Sequence, residues 1–169
     1  MRKGLRILSA VLLALLAVTA FVACQANGDG KSGDESGYYI EYKGTKIELD
    51  KKADAVISAL GEPKSKESLG NCGGYGAQIK YVYDDIVLYT VKNDSGETVD
   101  QITFSNDIAE TPKGVCIGDP IADVEAKHGE PMEKSDTKLI YGEGSLFIKF
   151  GVKDGYVDSI DYIRETPKN

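Results

Sequence analysis

The chain has no tryptophan, one histidine, two methionines, three cysteines and five prolines among its 169 residues. With a single imidazole, His128, there is no histidine cluster for a metal. His128 with Cys72 and Cys116, two cysteines that read as bridged to each other, cannot make a zinc site, which takes four ligands, or three and a water. The same scarcity leaves a cysteine nucleophile only one imidazole to work with. Basic charge is also thin: 20 Lys and Arg stand against 27 Asp and Glu, and Arg2, Lys3 and Arg6 lie in the first 23 residues. The remainder carries 17 bases and a net charge of −10, a balance that repels nucleic acid and anionic lipid. The composition excludes collagen-like, coiled-coil and multi-span membrane classes and is that of one ordinary globular domain or two very small ones.

What is present begins with a basic segment, Met1 to Arg6, followed by an uncharged apolar run of 17 residues, Ile7 to Ala23, that ends in small side chains. It reads as an export signal. A retained transmembrane helix is the alternative, since roughly 17 residues is the lower limit for crossing a bilayer. Phe21-Val22-Ala23-Cys24 resembles a bacterial lipobox, with Phe21 standing where that motif usually has Leu. The resemblance implies that Cys24 carries a diacylglyceryl thioether and anchors the exported protein to the outer face of the bacterial cell membrane. Residues 25–37 contain no large apolar side chain and read as a flexible tether reaching about 20 Å.

The rest of the chain aligns with itself. Leu60-Gly61-Glu62-Pro63 matches His128-Gly129-Glu130-Pro131 at an offset of 68, with Ile47, Leu49 and Val56 falling on Val115, Ile117 and Val124. Beyond the prolines the offset is 58: Tyr83 falls on Tyr141, Leu88 on Leu146, and Val99-Asp100-Gln101-Ile102 on Val157-Asp158-Ser159-Ile160. The first copy therefore holds ten extra residues between Pro63 and Tyr83. The expected organisation is signal 1–23, lipidated cysteine and tether 24–37, first repeat 38–110 and second repeat 111–169.

Each copy predicts a short helix, at 51–60 and 120–128, with Asp50 and Asp119 as N-caps, Pro120 in the first helical position and Gly61 and Gly129 at the C-terminal left-handed position. Strands are expected at 79–83, 86–92 and 99–104, and again at 138–141, 145–150 and 157–163. Asn93-Asp94-Ser95-Gly96 and Lys153-Asp154-Gly155 read as hairpin turns, and Lys43-Gly44 as the turn of a further hairpin over 38–49. The fold class is α+β: two tandem repeats, each a helix followed by an antiparallel meander, forming a sheet with helices on one face.

These motifs resemble small tandem-repeat lipoproteins of Gram-positive-type bacteria. Their repeat is similar to that of the β-lactamase inhibitor protein and of the small lipoprotein of the outer-membrane assembly machine. The resemblance covers about residues 38–165 and implies protein binding on a concave sheet face without enzymatic activity.

Among individual residues, Cys72 and Cys116 read as a disulfide across 43 intervening residues, worth about 4 kcal/mol in the loop-entropy account; two inert thiols are the alternative. His128 reads as a packing residue at a helix end. The carboxylates lack calcium-loop spacing. Gly70 to Gly76 lacks the Gly-Lys-Ser/Thr ending of a phosphate loop and reads as a structured loop carrying Tyr75. Strand parity sends Leu88, Leu146, Ile148 and Phe150 inward and Tyr89 and Phe147 outward, as internal equivalents on an open face. Tyr81 and Tyr83 take no face assignment, because Val82 and Ile140 compete for the core. The function expected is a non-catalytic protein- or peptide-binding module of the cell envelope using Tyr75, Tyr89 and Phe147, with no cofactor and no nucleic acid. A wall-glycan or peptide hydrolase using paired carboxylates and an inhibitor of a β-lactamase-like enzyme are the alternatives.

Overall fold

The computed structural model of the protein describes residues 37–71 and 76–165. The export signal, Cys24 and the tether as far as residue 36, together with Cys72 and Tyr75, lie outside the described residues.

The described residues begin with a hairpin, β1 (Tyr39–Tyr42) and β2 (Thr45–Glu48). It turns on Lys43 and Gly44 at φ 50° and 74°, the double positive φ that suits a two-residue connection. Helix α1 (Asp54–Leu60) leads into β3 (Ser65–Asn71), β4 (Ala77–Val82), β5 (Ile86–Asn93) and β6 (Gly96–Phe104). Helix α2 (Ile121–His128) leads into β7 (Glu133–Ser135), β8 (Lys138–Glu143), β9 (Leu146–Lys153) and β10 (Tyr156–Arg164). The last eight strands form one antiparallel sheet in the order β3-β4-β5-β6-β10-β9-β8-β7. The molecule is thus mostly antiparallel sheet with two helices, an α+β arrangement.

The core lies on one face of the sheet. Tyr81, Leu88, Ile102, Tyr162, Ile148 and Tyr141 form a buried row across β4, β5, β6, β10, β9 and β8. Beside it run Ile86, Phe104, Ile160, Phe150 and Leu139. Val56 of α1, Val124 of α2 and Ile40, Tyr42, Ile47 and Leu49 of the first hairpin complete the same cluster. Helices of seven and eight residues are too short to be stable alone. Their burial against the sheet holds them.

Several local expectations differ from the structure. Neither helix has a side-chain N-cap: Ala53 and Pro120 occupy the cap positions, so Pro120 stands one place before the first helical residue. Asp50 instead pairs with Arg164, and Asp119 accepts the amide of Cys116, tying the loop before α2 rather than the helix. Gly61 and Gly129 do have positive φ, 76° and 83°, but with ψ of −154° they sit outside the left-handed helical well, in a region only glycine tolerates. Strands β3 and β7 were not expected. Both are wholly exposed sheet edges with no apolar alternation to betray them.

The expected Cys72–Cys116 disulfide has one end outside the described residues, where Cys116 is the only cysteine. Cys116 is buried in the loop that precedes α2, whereas the residues leading to Cys72 belong to β3, the outermost strand at one end of the sheet. Gly70 and Asn71, expected in a loop over 70–76, pair within β3 instead, opposite Gln78 and Ala77.

Since a Cβ at Gly129 meets nothing within 4 Å, substitution there reads backbone strain alone. Gly129→Ala is expected to lower the unfolding free energy by about 1–3 kcal/mol at unchanged urea m-value. An unshifted urea midpoint would refute this account of the helix end.

Candidate functional site

The face of the sheet opposite the core carries the residues of alternate parity. One transverse row reads Glu67, Lys80, Tyr89, Gln101, Ile163, Phe147 and Gly142 from β3 to β8. A second reads Val82, Val87, Thr103, Asp161, Lys149 and Ile140 from β4 to β8. Apart from Glu67, which is exposed, and Asp161, which is buried, these residues are half-buried, and the helices and first hairpin pack on the other side.

Tyr89 and Phe147 both lie on this face, as parity predicts, and in the same row. They are separated by three strand spacings, about 14 Å. They are not internal equivalents. The β5–β6 and β9–β10 hairpins each have one bulge, with Asp100 the extra residue in β6 and Asp158 in β10. Counted from the bulges, the residue opposite Gln101 is Tyr89 and the residue opposite Ser159 is Gly151. Tyr89 therefore corresponds to Gly151, and Phe147 lies at the other end of β9. Gln101 and Ser159 differ by 58 in number, whereas the residues paired with them, Tyr89 and Gly151, differ by 62.

Phe147 is held in place by an absence. Directly opposite it stands Gly142, where a Cβ would lie 2.2 Å from the ring carbon Cδ1, so the ring lies over the bare glycine backbone. Beside the ring is a cavity of about 260 Å³ with Met132, Ile140 and Ile163 in its wall and Glu133, Lys149 and Glu165 at its rim. Tyr89 is bordered instead by Lys80, whose Nζ stands 5.9 Å from the ring centroid, a cation–π contact.

Between the two aromatics runs a polar ladder. Thr103 Oγ1 donates to Asp161 Oδ1 at 2.7 Å, Lys149 Nζ lies 2.8 Å from Asp161 Oδ2, and Gln101 Nε2 donates to Thr103 Oγ1 at 3.1 Å. Other carboxylates are held in similar ways. Asp100 receives Arg164 Nε at 3.2 Å and Gln78 Nε2 at 3.3 Å, and Asp85 receives the Tyr42 hydroxyl at 2.8 Å and the Asn106 amide at 3.0 Å. Asp84 lies 2.8 Å from Lys64, whose ammonium lowers the carboxyl pKa from its ordinary value. Among the described residues, no group of three or more His, Cys, Asp or Glu gathers to hold a metal, and no helix is long and apolar enough to cross a membrane.

On the core side, His128 packs against Tyr141 and Phe150, with ring centroids 5.0 and 5.2 Å away. Its Nε2 is buried with no hydrogen-bond partner among the described residues. Desolvation first, then the charges of Lys113 and Lys127, push its pKa down from 6.5 to about 4. It lines a second cavity, about 330 Å³, with Tyr38, Tyr141, Gly142 and Glu143. Glu97, a buried carboxylate of the core, accepts the hydroxyls of Tyr81 at 2.7 Å and Thr90 at 2.6 Å, which settles the face of Tyr81. Sequence pattern alone left it unassigned because Val82 competed for the core; Val82 lies on the open face.

No family model, curated protein or solved structure matches this chain.

Two measurements check this geometry. Asp161 is 7% exposed, whereas the Lys149 side chain reaches solvent. Lys149→Met, which strands the carboxylate, is expected to cost about 3 kcal/mol, and Asp161→Ala only about 1 kcal/mol. Equal losses on chemical denaturation would contradict the ladder. For His128, the folded pKa lies below the unfolded value, so stability is complete above pH 6.5 and declines as pH falls toward 4. The difference in stability between the wild type and His128→Leu is expected to vary with pH across that window. A pH-independent difference would show that the imidazole is not held neutral.

Proposed function

We propose that the chain is an exported lipoprotein, anchored through Cys24 to the outer face of the bacterial cell membrane, whose folded domain binds an envelope protein or peptide on its open sheet face. The observation that carries this reading is the one-sided cover of the sheet. Eight strands bury one face under two helices and a hairpin, while the other face keeps Tyr89, Ile163 and Phe147 half-buried in one row beside a 260 Å³ cavity. Exposed aromatic and aliphatic groups on a rigid face are what recognition surfaces use, since tyrosine and phenylalanine contribute large contact area at little entropic cost.

The polar groups of this face support binding rather than chemistry. Asp161, Asp100 and Lys149 already satisfy one another or their strand neighbours. Burying them under a partner therefore does not strand a charge. Two tandem copies of one helix-and-meander unit fit the strand order, the bulges at Asp100 and Asp158, and the matching φ and ψ of Gly61 and Gly129. That arrangement is similar to the repeat resemblance drawn from sequence, which implies the same kind of sheet-face recognition. The apolar run before Cys24 and the tether after it would place this face just outside the membrane.

Affinity capture from the producing cell's envelope tests the reading, with the full-length lipidated chain as bait and the Tyr89→Ala/Phe147→Ala double variant as control. A stoichiometric partner retained by the wild type and reduced at least tenfold by the double variant is expected. An identical set of captured proteins for both baits would overturn it.

A further inference from the structure

We propose that the outer edge of β8 at Tyr141–Glu143 accepts an extended, lysine- or arginine-bearing segment of a partner as an added strand. The proposal rests on the protein- or peptide-binding reading above and names the chemistry and geometry of the partner.

The edge is open because β7 stops early. Its last pair with β8 is Glu133 opposite Ile140, and β8 continues to Glu143. Past that pair the Met132 amide donates to the same Ile140 carbonyl at 2.8 Å, so the register does not continue, and Pro131 beyond it has no N–H to donate to a ladder. Among the described residues, no strand pairs with β8 beyond Ile140 on this side.

The backbone there faces outward. Glu143 and Leu146 close the two-residue turn to β9, which makes Gly142 and Phe147 a non-hydrogen-bonded pair of that hairpin. Ser135 and Lys138 close the turn on the other side, which sends Lys138, Ile140 and Gly142 toward the β7 side by the same alternation. Both counts agree that the N–H and C=O of Gly142 point away from the sheet.

An added strand sends successive side chains to opposite faces, and a cavity waits on each. On the open face lies the 260 Å³ cavity beside Phe147, and on the core face the 330 Å³ cavity beside His128 and Tyr141; Met132 borders both. The opposite sheet edge, β3, offers no such arrangement. It is interrupted by a bulge at Leu69 and carries Lys66 and Glu67, devices that discourage pairing.

Charge selects the partner. Lys149, the cation of the open-face cavity, is already held by Asp161 at 2.8 Å, while Glu165 at the same rim has no salt-bridge partner among the described residues. At the other cavity Glu130 and Glu143 outnumber Lys113. Beyond residue 23 the chain carries a net charge of −10, so a cationic segment is drawn to this end and an anionic one is repelled.

The probe is a capped five-residue peptide alternating lysine and valine, titrated into the full-length chain in detergent micelles by calorimetry, with hydrogen exchange followed at the Gly142 amide. One-to-one binding is expected, with slowed exchange at Gly142. Replacing the lysines by glutamates, or N-methylating alternate amides so that one edge of the peptide loses its donors, is expected to weaken binding at least tenfold. Phe147→Ala is expected to weaken it. No binding at millimolar peptide, equal binding of the N-methylated or acidic peptide, or unaltered exchange at Gly142 would overturn the assignment. So would a Gly142 amide protected in the free chain and released by deletion of residues 25–36, since the edge would then belong to the chain's own segment. An envelope partner lost in the Tyr89→Ala/Phe147→Ala chain, with no peptide bound at the edge, would overturn this inference and keep the open-face reading. Peptide binding without any such partner would do the reverse.

Discussion

The two four-stranded halves of the sheet meet along a seam only four residue pairs long, where Phe104, Thr103, Ile102 and Gln101 of β6 face Ile160, Asp161, Tyr162 and Ile163 of β10. Everything on either face depends on those four pairs. On the core side the Phe104 and Tyr162 rings stack at 6.4 Å across the seam, with Ile102 and Ile160 fully buried beside them. On the open side Thr103 and Asp161 hydrogen-bond across it, and Lys149 extends the contact to β9. Arg164, just beyond the last pair, reaches back to Asp100 in the β6 bulge and to Asp50 ahead of α1, so the end of the last strand is tied to the first connection. Without the seam β6 and β10 would each be an exposed edge, and the row joining Tyr89 to Phe147 would not exist.

A sheet covered on one side must do something with the other. Here Asp161 and Lys149 of the open face hold each other, and Tyr89, Phe147, Val82, Val87, Ile140 and Ile163 are its half-buried aromatic and aliphatic groups. Apolar surface in that position gains from burial, at roughly 25 cal/mol per Å², while the satisfied polar ladder between the aromatics loses little. The core side is arranged differently, with Glu97 and the hydroxyls of Tyr81 and Thr90 forming a closed set inside the apolar cluster.

Much of this was legible in the residue pattern. Alternation along β5 and β9 placed Leu88, Ile148 and Phe150 inside and Tyr89 and Phe147 outside, because a strand's side chains alternate whatever it pairs with. The two helices emerged from the punctuation of Gly-Glu-Pro, since glycine ends a helix where φ turns positive and the following proline forbids its return. The edge strands β3 and β7 left no trace, because an exposed edge has no buried face to impose a period and selects for charge instead. The N-caps expected at Asp50 and Asp119 failed for a related reason: each carboxylate had a better partner, Arg164 or the Cys116 amide, supplied by the tertiary structure.

By itself, then, the sequence determined the class of fold, the inward and outward residues of each buried strand, and the glycine-ended helices, all consequences of local sterics and local periodicity. Tertiary structure alone decided which strands are neighbours, where the bulges at Asp100 and Asp158 shift the ladder, and that Tyr89 corresponds to Gly151 while sharing a row with Phe147. The physical reason is that a strand's period sets the face of a side chain without naming its partner. Register is a cooperative outcome of the whole ladder, and one extra residue in a single strand moves every pairing beyond it.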